Sequence, residues 1–591
     1  MNAEFLARLT QAQTEEEKDW LLAELFLSVL SPELRAMALA AAVSHWFDAN
    51  ILVALQPDLA QQAEALYLEL QHLPFVEGFP DRGHNIHERT RKAMLKHLWE
   101  TDEEAFKQFS QRLVDYFSAE DTNRIEQIYH AVMADFEGGS SQFEHYITSL
   151  DHNFRREEAE ALLAAVQELV EAKRVPESFA ADVVYWFGHI HFRFYEAQEA
   201  LSRYDTALKL FEQVGEKLGK ANTLSAKGDV LQFLDRREEA LEHYDTALKL
   251  FEQVGEKLGK ANTLRAKGDV LQFLDRREEA LEHYDTALKL YEQVGAKLGK
   301  ANTLKAKGDV LQFLKRCEEA LEHYDTALKL YEEVGDNLGK ANTLQAKGDV
   351  LQFLDRREEA LEHYDTALKL FEEVGSKLGK ANTLSAKGNV LQFLDRREEA
   401  LEHYDTALKL YEQVGDNLGK ANTLRAKGDV LQFLARREEA LEHYDTALKL
   451  FEQVGSKLGK ANTLSAKGDV LQFLKRCEEA LEHYDTALKL YEEVGANLGK
   501  ANTLKAKGDV ALASEQYPEA LQQYRQALAL VEQIHDLYST ARVWYCIGKA
   551  CATKGDKPEA ISAFTTAASI FRNIKLEDLA QLCERAIEEI E

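Results

Sequence analysis

The chain has 591 residues, 45% of them apolar and 29% charged, with a net charge of −30. That composition excludes a disordered or collagen-like chain, and the acidity removes the basic footprint that phosphate-backbone binding requires. No apolar run reaches the ~18 residues of a membrane helix. The first twenty residues lack a basic leader followed by an apolar stretch, so a cytoplasmic location is expected. Five cysteines, Cys317, Cys477, Cys546, Cys551 and Cys583, form no CxxC pair and read as reduced thiols.

In chain order, segments 15–30, 32–47 and 58–72 carry helical patterning. Phe75-Val76 and Asn85-Ile86-His87 then read as two short strands around a turn from Gly78 through Asp81 to Gly83. A helix bearing Arg89, Arg91, Lys92 and Lys96 follows. Helix, helix, hairpin and basic helix, with the phrase Ile86-His87-Glu88 and Arg91, resemble the winged-helix module behind the ATPase core of STAND-type signalling proteins. The resemblance makes 1–100 a winged-helix-like domain and 101–180 a helical connector, with a loop expected at Gly138-Gly139-Ser140-Ser141. No GxxxxGK[ST] element is present for the ATPase itself. Five basic residues between Arg82 and Lys96 leave DNA as a rival partner for this region. Against it, residues 1–180 hold 15 Lys and Arg against 32 Asp and Glu.

From about residue 181 the sequence repeats every 40 residues. Gly188 to Gly548, Ala200 to Ala560, Tyr204 to Tyr524 (then Phe564) and Ala207 to Ala567 fall in fixed registers, giving ten units to about 575. In one unit Ala221, Leu224, Gly228 and Leu231 recur at steps of three and four, one face of a helix. Ala240, Tyr244, Ala247, Phe251 and Val254 do the same in a second helix. Asp235-Arg236-Arg237 breaks the two, and Gly255 sits where a helix C-cap needs left-handed backbone. The unit is an A helix near 217–234 and a B helix near 238–254. Residues 576–591 read as a capping helix. One such hairpin cannot bury its apolar face alone, whereas a stack can.

These registers resemble the tetratricopeptide repeat: Gly228 matches the small residue of its A helix, and Ala240, Tyr244 and Ala247 match its B helix. The unit is longer than the usual ~34 residues and lacks the usual proline, as in LGN-type and kinesin-light-chain-type scaffolds. The resemblance implies an all-α fold, a right-handed α-solenoid with A helices on the concave wall. The same helices make a P-loop untenable at VGEKLGKANT (214–223), which has three residues between Gly215 and Gly219-Lys220 and follows a helix rather than a strand.

The resemblance also places a groove on the A-helix residues left over from the buried face. Asparagines form one series: Asn222, Asn262, Asn302, Asn342, Asn382, Asn422, Asn462 and Asn502. Aspartates form a second: Asp229, Asp269, Asp309, Asp349, Asp429, Asp469 and Asp509, interrupted by Asn389. Between them lies a position that varies among near-identical units: Ser225, Arg265, Lys305, Gln345, Ser385, Arg425, Ser465 and Lys505. Ala226, Gln232 and Phe233 share the face. Amides offer donors and acceptors to a peptide main chain, and aspartates with few cationic neighbours attract Lys or Arg; a merely solvated polar face is the alternative. Other variable positions, at Glu216, Lys217, Asp235 and their equivalents, fall in loops where drift is free.

His243 repeats to His483, but helices ~8–10 Å apart cannot share the ~2 Å bonds of one zinc ion, so packing or surface histidines are expected, with no metal or cofactor. No GxSxG, HExxH or zinc quartet occurs. The expected function is a non-catalytic scaffold that binds a basic or neutral protein or peptide, with no membrane and no nucleic acid. The alternative is the sensor of a STAND-type signalling or defence system whose ATPase, protease or other effector is encoded separately.

Overall fold

The computed structural model describes residues 3–80, 82–119 and 123–590; Asp81 of the expected turn lies outside them. The chain divides into two compact units, residues 1–296 and 297–591.

The first unit opens with the helices Ala3–Gln11, Glu15–Ser28, Pro32–Ala41, Ala49–Leu55 and Ala63–Leu70, with a 3-10 turn at Pro57–Gln62. The helix expected over 32–47 stops at Ala41, and residues 42–47 are not helical before a separate helix starts at Ala49. Ala42 ends the first and Asp48 caps the second, its carboxylate accepting from the Ile51 amide at 2.8 Å. Strands Val76–Phe79 and Gly83–Ile86 pair antiparallel as the expected hairpin, but they extend two or three residues into the expected turn, so Gly78, Phe79 and Gly83 are strand residues. Phe47 forms an isolated bridge to His84. The basic helix follows as Glu88–Thr101.

The connector contains Glu103–Ala119, Arg124–Ala134, Phe136–His152 and Arg156–Glu171. The expected loop at Gly138–Ser141 is wrong: those residues lie in the Phe136–His152 helix. Asp135 caps it through the Gly138 amide at 3.2 Å. Gly139 lies so close to the preceding helix that a Cβ would stand 2.3 Å from the Ala131 backbone. These glycines serve a close helix crossing, a use that composition does not distinguish from a loop.

Three hairpins complete the first unit. Glu177–Arg193 pairs with Ala197–Val214, Lys217–Phe233 with Arg237–Val254, and Lys257–Phe273 with Arg277–Val294. Seven more make up the second unit, from Lys297–Phe313 with Cys317–Val334 to Leu537–Lys554 with Lys557–Asn573, closed by the helix Glu577–Glu588.

Local chemistry sets each boundary. Gly215 and Gly255 end B helices with φ of 71° and 73°. The A helices up to Asn497–Ala513 end instead on left-handed non-glycine residues, Asp235, Asp355 and Ala435 among them, whereas Leu537–Lys554 ends at Gly555. Glu216 is no idle loop residue: its carboxylate accepts from the amides of Leu218 and Gly219. Asp336, Ser376, Asp416 and Ser456 cap in the same way.

Packing follows the sequence registers. A Cβ on Gly228 would stand 2.4 Å from the Tyr244 ring of its own hairpin, and one on Gly219 would stand 2.3 Å from Phe211 of the preceding B helix. Both glycines are contact points between helices. Val254, expected inside, is 40% exposed, because the B helix turns its last residue outward beside the Gly255 cap.

Candidate binding face on the A helices

Within each unit successive A helices touch one another directly, as Lys217–Phe233 does Lys257–Phe273 and as Asn337–Phe353 does Lys377–Phe393. They present the asparagine, variable and aspartate positions on one side. Asn222, Asn262, Asn302, Asn342, Asn422 and Asn502 are exposed, Asn382 and Asn462 half-buried. Phe273, at the end of its A helix, is 64% exposed, under the guanidinium of Arg237 at 5.2 Å.

The aspartates have a structural task that the sequence pattern did not reveal. The tyrosine of each B helix is buried to the ring and must place its hydroxyl. Tyr244 donates to Asp229 at 2.7 Å, Tyr284 to Asp269 at 2.7 Å, Tyr324 to Asp309 at 2.8 Å and Tyr364 to Asp349 at 2.6 Å. Tyr444, Tyr484 and Tyr524 bond Asp429, Asp469 and Asp509 in the same way, and Tyr404 bonds Asn389 at 2.7 Å. A signal for this was available. Where the aspartate register holds His189, the Tyr204 hydroxyl has no partner among the described residues; where it holds Lys549, the tyrosine becomes Phe564.

The expectation of few cationic neighbours is also corrected. Arg265 pairs with Asp269 at 2.7 Å, Lys305 with Asp309 at 2.6 Å, Arg425 with Asp429 at 2.9 Å and Lys505 with Asp509 at 2.6 Å. Each cation precedes its aspartate by four residues, one helical turn. Where the variable residue is small or neutral it binds elsewhere. Ser225 meets Thr263 at 2.9 Å, Gln345 accepts from Thr383 at 2.9 Å, Ser385 meets Thr423 at 3.0 Å and Ser465 meets Thr503 at 3.0 Å, all on the next A helix. Asp229, Asp349 and Asp469 therefore have no ion pair among the described residues. Burial pushes the half-buried carboxyls of Asp349 and Asp469 up to about 6, while Asp229 is exposed.

The asparagines divide as well. Asn262, Asn302, Asn382 and Asn462 accept from Tyr291, Tyr331, Tyr411 and Tyr491 at 2.6–2.7 Å. Where the B helix carries Phe251, Phe371 or Phe451 there is no hydroxyl, and Asn222, Asn342 and Asn422 keep their amides for solvent. Asn502 faces Val531 in that register and is likewise exposed. Lys217–Phe233 and Asn337–Phe353 are thus the A helices on which both amide and carboxylate lack these partners.

Elsewhere several of the charged groups are paired. The Lys227 ammonium reaches Asp205 of the preceding B helix at 2.5 Å, and Lys347 and Lys387 pair with Asp325 and Asp365. His243 stands half-buried beside Lys227, and burial lowers its pKa. In the head, Arg91 is buried and bonds Glu168 at 2.9 Å and the Ser44 carbonyl at 3.2 Å. Arg89 pairs with Asp19 at 3.0 Å and Lys92 with Glu88 at 2.7 Å. These three basic residues of the rival DNA surface are engaged within the protein. No helix among the described residues is long and apolar enough to cross a membrane.

The tetratricopeptide repeat family model matches residues 179–253, 219–293, 299–373, 379–453, 459–533 and 506–573. The chain belongs to the tetratricopeptide repeat family. No curated protein matches its sequence. Among solved structures, the repeat chain is similar to a signal transduction ATPase with numerous domains (STAND) that carries a tetratricopeptide repeat sensor, from Pyrococcus horikoshii. That likeness covers 84% of this chain and 69% of the other at 12% identity and a TM-score of 0.52. RapI in its apo form is similar over 60% of this chain and 98% of its own, at 15% identity and a TM-score of 0.48. The apo quorum sensor NprR from B. thuringiensis is similar over 60% and 99%, at 15% identity and 0.46.

Proposed function

We propose that this repeat protein is a non-catalytic interaction scaffold whose A-helix face takes an extended peptide or protein segment of basic or neutral character. One observation carries the reading: after the tyrosine hydroxyls and ion pairs are assigned, a defined subset of face residues keeps unused capacity, asparagines with no tyrosine partner and aspartates that hold a tyrosine hydroxyl but no cation. On Asn337–Phe353 these are Asn342 and Asp349, seven residues and thus two turns apart on one side. The Asn342 amide can both donate to and accept from a main chain. Asp349 accepts a ligand cation, and doing so offsets the cost of holding its charge in a half-buried place. A net charge of −30 disfavours a phosphate backbone as the ligand.

The test is site-resolved photocrosslinking in the full chain. Benzoylphenylalanine at Gln345 should capture one partner through a defined segment, whereas the same probe at Glu362 on the B-helix surface should not. Capture from Glu362 alone would place the binding surface on the B helices.

The STAND-sensor reading stands second, supported by the extent of the likeness. At 84% of the chain it reaches beyond the repeats into the first 180 residues. The order of elements there, with Phe47 bridging the hairpin at His84, fits a winged-helix-like module. Co-purification of a separately encoded ATPase dependent on residues 1–100 would favour it; a partner indifferent to that region would not.

A further inference from the structure

The last A helix reverses the chemistry of the face. In the asparagine register, where eight A helices carry Asn222 to Asn502, Leu537–Lys554 carries Arg542. In the aspartate register it carries Lys549, and at the variable position Tyr545. In those eight A helices the first position is always Asn and the second is Asp except at Asn389; here both become cationic together in a chain of net charge −30.

Arg542 and Lys549 are exposed and seven residues apart, on one side of the helix. Neither forms an ion pair among the described residues. The Arg542 guanidinium lies 5.6 Å from the centre of the Tyr538 ring. The cation of the preceding A helix, Lys505, is already held by Asp509, so the local balance is positive. Both residues border a cavity of about 540 Å³ whose apolar wall includes Leu512, Tyr545, Phe571, Leu579 and Leu582. Leu579 and Leu582 come from the closing helix Glu577–Glu588, which forms one side of the cavity.

We infer that this cavity is an anion subsite that takes an Asp or Glu side chain of the partner segment, next to a large apolar residue of the same segment. The inference rests on the peptide-groove reading and adds direction and register to it. Cations over a half-apolar cavity select a carboxylate whose neighbour can cover leucine and aromatic surface. The unpaired Asp469 lies two A helices away, on Lys457–Phe473. Helices spaced ~8–10 Å apart put the two sites roughly 16–20 Å apart. At ~3.3 Å per extended residue that is about five or six residues. The partner segment therefore carries a basic residue and, about five or six residues along in one direction only, an acidic residue beside a large apolar one.

The test uses the full chain and fluorescein-labelled peptides with blocked termini, in a Ser/Asn background. Each carries one Lys and one Glu-Phe pair, at separations from two to nine residues and in both orders. The expected result is tightest binding near five or six residues in one order, about tenfold or more above the reverse order. Glu→Gln in the best peptide should remove most of that advantage. In the protein, Arg542→Glu with Lys549→Glu should shift the preference from Glu to Lys at that peptide position. Arg542→Gln with Lys549→Gln should abolish the preference for either, with helical circular dichroism unchanged because both side chains are exposed. Peptides that bind but ignore both variants and the Glu→Gln change would overturn the anion subsite and leave the groove reading intact. No saturable binding by any peptide up to about 1 mM would overturn both.

Discussion

The N-terminal head and the repeat array both bury polar side chains, and they satisfy them differently. In the head one cluster dominates: Arg91, Glu168, Tyr129, His45 and Glu126 bond one another across three helices and the segment that carries His45. Nothing in that cluster is repeated, and its charges are consumed internally. In the array one hydrogen bond, tyrosine to aspartate, recurs hairpin after hairpin and leaves the second carboxylate oxygen available. The variable residue one turn earlier then decides whether that oxygen is neutralised from within, as by Lys305, or left open, as beside Gln345. A closed network fixes a structure; a repeated and partly completed one provides a surface whose open points can be moved by changing one residue.

The comparison can be broken most severely in the head. Glu168→Ala would strand the buried Arg91 guanidinium, at a cost of roughly 3–5 kcal/mol. Thermal melting of the full chain should show an early transition, and hydrogen exchange should assign it to residues 1–171. An unshifted melt would mean that the cluster is not what holds the head. Next in size is Gly348→Ala, whose Cβ would meet the Tyr364 ring at 2.5 Å; overpacking of this kind costs about 1–3 kcal/mol, read by urea denaturation.

Asp349→Ala strands the Tyr364 hydroxyl and should cost about 1–3 kcal/mol. Asp349→Asn should be nearly neutral at pH 7, since Asn389 already does the same for Tyr404 and a buried charge is removed. Equal losses for the two variants would contradict the assigned bond.

Smaller, and opposite in sign between the regions, is the response to pH. Burial pushes Asp349 and Asp469 up to about 6 from 3.8. The folded array binds protons that the unfolded chain releases, so this contribution to stability declines as pH rises from about 4 to about 6. In the head, burial holds His130 down to about 3 from 6.5. Against the opposing effect of its burial, the neighbouring His45 brings Glu126 down to about 2 from 4.5. Both contributions are lost as pH falls, His130's from about 6.5 and Glu126's from about 4.5. The raised His45 opposes them in part. Acidification from pH 7 to 4 should therefore loosen the head before the array, which hydrogen exchange can follow. An array that opens first would reverse the comparison.

The parts legible in the sequence were those that a period exposes. The hairpin bounds, the left-handed Gly215 and Gly255, and the close contacts of Gly219 and Gly228 all follow from spacing, because backbone and volume constraints recur with the unit. The partners of polar residues do not follow from spacing. Tyr364 reaches Asp349 fifteen residues back across a turn, and Tyr331 reaches Asn302 twenty-nine residues back across a hairpin. A polar residue on a helix face reads the same whether it meets water or a buried hydroxyl. Only a departure betrays it, as Phe564 does opposite Lys549 and Phe371 opposite Asn342. The Gly138–Ser141 stretch misled for the same reason: glycine marks a close contact as readily as a turn.

The central claim is that the variable residue controls access to the carboxylate one turn further on. Its most direct test is calorimetric titration of the photocrosslinked partner segment against Gln345→Lys, which supplies Asp349 with the cation that Lys305 gives Asp309. The account predicts about tenfold weaker binding, most marked at low salt, with no loss of fold. Unchanged affinity, with the segment still crosslinking at Ser465, would contradict it.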